Sequence, residues 1–182
     1  GKDSIALADS VLIPSGRPGQ TFIDHSTVPA PETRHIGAAF VEKGCRYLDA
    51  PISGGKGGAD AGALRIFVGG EKATAEEMWP LFEAAGNPEK VVYCGGIGKG
   101  QDAKVVQQLT ARLPDLARLE VMAFGLNSGL DIDTLARALD VTPGEGSPYE
   151  PFLEAVRRGE DIEAMGGLFS EWEYFLAEAR NR

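Results

Sequence analysis

Cysteine is scarce in this chain. It has two, Cys45 and Cys94, far apart and without a Cys-x-x-Cys spacing. That excludes a zinc ribbon or a thioredoxin-type motif, and reduced core thiols are the expected state. Histidine is equally sparse. His25 and His35 stand apart from any acid–nucleophile pattern and read as structural or solvated. With no cluster of metal-ligating residues, no metal centre is expected. Positive charge is short as well: 18 Lys and Arg against 27 Asp and Glu leave a net charge of −9, and the pI is about 4.8. Such a surface repels a phosphate backbone, so nucleic-acid binding is not expected. A small anionic substrate is still compatible, because a local nest of N–H groups can outweigh net charge. No run of about 18 apolar residues occurs, so no transmembrane helix is expected. The opening Gly1-Lys2-Asp3-Ser4 reads neither as a signal peptide nor as a natural beginning. The expected location is the cytoplasm.

What is present suffices for a packed core. The 182 residues are 43% hydrophobic and suit one large domain, or one and a half. The 24 glycines point to many tight turns. Residues 5–13 alternate weakly and take no assignment. Gly16-Arg17-Pro18-Gly19 is a turn. Gln20 to Asp24 reads as a short buried strand. Pro29 and Pro31 suit a first helical turn, and Ile36, Ala39 and Phe40 carry that helix to about Gly44. Arg46 to Ala50 is a second strand and Leu64 to Val68 a third. Thr74 with Glu77 forms a capping box before Met78, Leu81 and Phe82, and that helix stops at Gly86-Asn87-Pro88. Lys90 to Tyr93 is a fourth strand. The order is that of an α/β fold.

After Gly100 no strand signal appears. Val105, Leu109, Leu113, Leu116, Leu119, Ala123, Leu126 and Leu130 are spaced by threes and fours, as a long buried helix requires. Pro114 should kink or split it. Asp131 should cap a shorter helix through Leu139, Pro143 to Pro148 is a loop, and helices follow near Tyr149–Arg157 and Leu168–Ala179. The fold class is α/β followed by all-α: a partial Rossmann-type sheet, then a helical domain built around one long helix. The expected domains are residues 1–97 and 98–182.

Three segments carry the chemistry. In Asp49-Ala50-Pro51-Ile52-Ser53-Gly54-Gly55, a strand end meets two glycines whose N–H groups can approach a carboxylate without Cβ interference. Gly62 to Gly70 is a strand that ends in a glycine turn. Gly98-x-Gly100-x-x-Ala103 follows a strand and opens a helix, as in dinucleotide-binding loops. The acid that should follow on a second strand is missing, since Glu120 falls inside a helical pattern. A flexible glycine joint between domains is therefore the preferred reading of that loop. Lys104 falls in the first turn of the long helix, where the macrodipole disfavours its charge and suits it to proton donation. Gln108, four residues on, shares its face.

Together these segments resemble the β-hydroxyacid dehydrogenase family over about Val11 to Gly129. Asp24-His25-Ser26-Thr27 is similar to the family's D-x-S-T segment, Asp49 to Gly55 to its substrate loop, and Gly98 to Lys104 to the segment that carries its catalytic lysine. The resemblance implies an oxidoreductase that interconverts a small 3-hydroxy acid and its semialdehyde with NAD or NADP. It implies that Lys104 exchanges the proton, that Ser53, Gly54 and Gly55 hold the substrate carboxylate with Gln108 beside them, and that Thr27 touches the cofactor. A small carboxylate substrate and a homo-oligomer are the expected partners. The chain departs from the family in three ways. The opening strand–GxGxxG–helix is not here, so the chain reads as lacking the N-terminal nucleotide-binding half. Gln107-Gln108 stands where the family has Asn-Asn. Trp172-Glu173 stands where the family often has a Lys-Asp pair. The alternative reading is a non-catalytic dimerising or binding protein on the same scaffold.

Overall fold

The computed structural model describes residues 2–160. They form two compact units, residues 2–107 and 108–160. The first holds a five-stranded mixed sheet. Strands β1 (Thr21–Asp24) and β2 (Arg46–Asp49) are parallel, joined by helix α3 (Ala30–Glu42). Strand β4 (Leu64–Gly70) runs antiparallel to β2 and to the short β3 (Ile52–Ser53), and parallel to β5 (Gly86–Gly95).

Period-2 alternation on β2 sorts its side chains between two cores. Leu48 joins Ile66, Val68 and the Ala75 and Phe82 of helix α5 (Lys72–Ala85) on one face. Tyr47 joins Ile36 and Phe40 of α3 on the other.

The unassigned start is helical. It runs as α1 (Lys2–Leu7), a wide π turn (Ala8–Leu12) and α2 (Ile13–Ser15). Ile5, Ala8, Leu12 and Ile13 pack on the Phe40 core. The π turn shifts the apolar spacing off the 3.6-residue period, which is why the pattern read as weak. The expected capping box does not form. α5 starts at Lys72, three residues early, so Thr74 lies inside its first turn and donates to the flanking Glu71 at 2.9 Å. Glu77 turns outward and pairs with Arg46. The short glycine-rich helix α4 (Gly55–Asp60) was not foreseen.

Helix α6 (Lys99–Asn127) leaves the first unit at Gln107 and supplies the opening of the second. It continues through Pro114 without the expected split. The ring removes one bond of the ladder but does not end it. In the second unit Met122, Leu135, Phe152 and Leu153 form a core between α6, α7 (Ile132–Ala138) and α8 (Glu150–Arg157). Asp131 caps α7 as expected, accepting from the N–H groups of Asp133 (3.1 Å) and Thr134 (2.9 Å). The expected helix over 168–179 and the Trp172-Glu173 pair lie outside the described residues.

Candidate active site

Parallel pairing brings the ends of β1 and β2 side by side, with Asp24 opposite Asp49. Each aspartate organises one loop. Asp24 accepts from the Ser26 N–H at 2.9 Å, bonds the Ser26 hydroxyl, and accepts from Tyr47 Oη at 3.2 Å. Burial first, and the charge of Asp24 second, push the Tyr47 hydroxyl far above its usual range. His25 Nδ1 donates to the Ala50 carbonyl at 2.8 Å, so that residue is structural.

Asp49 is fully buried. Its carboxylate accepts from the Gly98 N–H at 2.7 Å and the Gln101 N–H at 3.0 Å. A residue at the end of β2 thereby caps α6 from across the fold. Burial raises its pKa, and the bonds from Gly98, Gln101 and Gly100 pull the other way. The approach requires glycine. A Cβ on Gly100 would lie 2.3 Å from the Phe67 carbonyl oxygen, and one on Gly69 would lie 2.5 Å from Asp49 Oδ1.

This corrects the reading of the Gly98–Gly100 segment as a flexible joint, because both glycines are buried and packed. It also bears on a dinucleotide. The N–H groups that would cradle a pyrophosphate are already donated to Asp49, so this turn does not fit that group.

Gln101 is 1% exposed and uses both ends of its amide. Nε2 donates to the Ser26 carbonyl at 2.8 Å, and Oε1 accepts from the Val28 N–H at 3.3 Å. Thr27, the candidate cofactor contact, is the residue between. Lys104 lies one turn further along α6. Because the helix begins at Lys99, Lys104 is in the second turn rather than the first. The macrodipole argument weakens there, since the effect fades beyond the first turn. Lys104 is 6% exposed, which sets it apart from a surface lysine.

Three residues beyond Lys104, on the same helix face, Gln107 meets the candidate substrate loop. The Ser53 hydroxyl donates to Gln107 Oε1 at 3.1 Å. Gly54 (φ 138°) and Gly55 (φ 57°) follow Ser53 in conformations that favour glycine, and both are exposed. The first unit therefore brings together Ser53, Gln107 and the Lys104 face of α6. Gln108 is the first residue of the second unit.

Asp49, Gln101 and Gln107 were not singled out from sequence as organisers. Asp49 and Gln101 lay inside the recognised segments, but a cap between residues so far apart leaves no local spacing signal. Among the described residues, no group of three or more His, Cys, Asp or Glu is placed to hold a metal ion. Among the same residues, no helix is long and apolar enough to cross a membrane.

The sheet has the Rossmann-type architecture of a nicotinamide dinucleotide-binding domain. Residues 2–96 match the NAD binding domain of 6-phosphogluconate dehydrogenase, and the chain belongs to that family of oxidoreductases. Among its relatives, the NAD-dependent L-serine dehydrogenase of Pseudomonas aeruginosa is 36% identical over 142 residues, which cover 78% of this chain and 47% of that protein. The 2-hydroxy-3-oxopropionate reductase of Escherichia coli is 39% identical over 121 residues, 66% of this chain and 41% of that protein. The chain thus spans about half the length of the curated relatives it matches or somewhat less. Among solved structures, the 3-hydroxyisobutyrate dehydrogenase of Mycobacterium tuberculosis with L-serine is similar with a TM-score of 0.62 at 28% identity, over 82% of this chain and 52% of that one.

Proposed function

We propose that this chain is part of an NAD(P)-dependent oxidoreductase that interconverts a small 3-hydroxy acid and its semialdehyde. Residues 1–97 would be the later part of its dinucleotide-binding domain, and 98–182 a helical domain for substrate and oligomer contacts. The observation that carries this reading is the Ser53–Gln107 hydrogen bond beside the buried Lys104. It joins the diglycine loop to the lysine-bearing helix within one unit.

In this reading the backbone N–H groups of the Ser53-Gly54-Gly55 turn hold the substrate carboxylate, with Gln108 as a second amide and Thr27 on the cofactor side. Lys104 gives its proton to the carbonyl oxygen during reduction and takes it back from the hydroxyl during oxidation. A positioned general acid of this kind is worth about 10²–10⁴-fold. Burial excludes competing water from that exchange. The L-serine and 2-hydroxy-3-oxopropionate named for the relatives are small three-carbon acids, each with a carboxylate for the diglycine loop and an oxygen on C3 for Lys104.

Assays of Lys104→Ala and Lys104→Arg in the whole protein, with NADH or NADPH and a panel of semialdehydes, test the proposal. A fall in kcat of about 10²-fold or more, with KM little changed, is expected. Unaltered kcat in both variants removes Lys104 from the chemistry. A second reading is a binding protein that keeps the scaffold, and Gln108 in place of the family's asparagine favours it. Acid binding by the whole protein without turnover of any semialdehyde in the presence of NADH or NADPH would select it.

A further inference from the structure

Ser53 and Gln107 divide their hydrogen-bonding capacity unequally. A hydroxyl has one proton and two lone pairs. The Ser53 proton is committed to Gln107 Oε1, so what Ser53 presents to a ligand is an acceptor. An acceptor offers nothing to a carboxylate oxygen. The other end of the Gln107 amide carries two N–H donors and no acceptor, which suits the carboxylate. The reacting hydroxyl of a small hydroxy acid gives its proton to Lys104 in the oxidation direction of the proposed reaction. Ser53 adds one acceptor that neither of those groups engages. It is matched by a further N–H or O–H group on the ligand.

We infer, resting on the small-acid site proposed above, that the Ser53–Gln107 pair selects 3-hydroxy acids that carry a hydroxyl or ammonium on the carbon next to the carboxylate over those that carry a methyl there. Three compounds share one 3-hydroxypropanoate skeleton and differ at that carbon: glycerate (hydroxyl), L-serine (ammonium) and 3-hydroxyisobutyrate (methyl). A fully enclosed polar site can discriminate by 10⁴–10⁵-fold against an analogue that lacks its partner group. Ser53 is half-buried, so water can relieve part of the penalty, and a preference on the order of tenfold is expected.

The 182-residue chain is titrated separately with both enantiomers of glycerate, with L-serine and with both enantiomers of 3-hydroxyisobutyrate. The Gly55 backbone amide and the Gln107 side-chain amide are followed by NMR. The better glycerate enantiomer and L-serine should each bind roughly tenfold tighter than the better 3-hydroxyisobutyrate enantiomer. Ser53→Ala should bring the affinities to within about twofold by removing the acceptor. Gln107→Met should narrow the preference too, because the Ser53 proton is then released to face the ligand. Amide dispersion in each variant's spectrum reports whether it is folded. Equal or tighter binding of 3-hydroxyisobutyrate by the unmodified chain overturns the inference and leaves the small-acid site standing. So does a preference that survives Ser53→Ala. If none of the acids shifts either amide, the small-acid site itself fails, and the inference with it.

Discussion

Replacing Asp49 with alanine should loosen the start of α6. The carboxylate accepts from two N–H groups at 2.7 and 3.0 Å in a fully buried position. Alanine leaves both donors without their partner. A buried donor left unsatisfied costs about 1–3 kcal/mol, so the loss is roughly 2–6 kcal/mol. That is a large part of a typical net stability of about 5–15 kcal/mol. Asp49→Asn should cost less, because its amide oxygen can keep one bond while its NH₂ faces the other donor.

The pH dependence has a definite sign. Burial raises the folded-state pKa of Asp49 above its ordinary value of 3.8. Its titration therefore favours the fold below the unfolded pKa, and that contribution is lost as pH rises through the folded value. The stability advantage of the unmodified chain over Asp49→Asn should be greatest below the unfolded pKa and should shrink as pH rises through the raised one. Urea unfolding followed by tryptophan fluorescence measures both effects. An Asp49→Ala chain within about 0.5 kcal/mol of the unmodified protein would refute the capping argument.

Gly100→Ala places a methyl 2.3 Å from the Phe67 carbonyl oxygen, a backbone atom that cannot swing away. It should lower the unfolding free energy measured in urea by more than the roughly 1 kcal/mol that marks an ordinary substitution. Gln101→Met should raise amide exchange at Val28, because it removes the amide that holds the Ser26–Val28 segment. Cys94 is pushed up to about 11 by burial and then by the charge of Asp49. Its alkylation by iodoacetamide at pH 8 should be slow and should accelerate toward that value. Asp131 has its pKa lowered mainly by the backbone bond from Thr134. Its support of α7 should be present above the unfolded pKa and fade as pH falls through the folded one, and Asp131→Asn should flatten that loss.

The α/β order and its change to helices were legible in sequence because periodicity and glycine turns are local signals. Strands near Phe22, Tyr47, Ile66 and Val91, and the Asp131 cap, follow from spacing alone. Short-range ambiguity misled in two places. Thr74 and Glu77 have the spacing of a capping box, but Glu71 starts the helix. Glycines 55, 57 and 58 have poor helix propensity, yet they form α4 in a segment closed between β3 and β4.

The candidate site was legible in part. Ser53, Gly54, Gly55 and Lys104 stood out through motif context. The residues that hold the site in shape did not. Asp49 reaches α6 from a distant strand, and Gln101 reaches back to the β1 loop. Such long-range bonds are specified by the packed fold and have no fixed spacing. Glutamine at 107 read as a departure from Asn-Asn, and its longer side chain makes the contact to Ser53.

One bound acid should report on both sides of the site at once. Intermolecular NOEs from glycerate to the Ser53 β-protons and to the Lys104 ε-protons are predicted in the same complex. NOEs to one of these residues with none to the other, or to neither, would contradict the account.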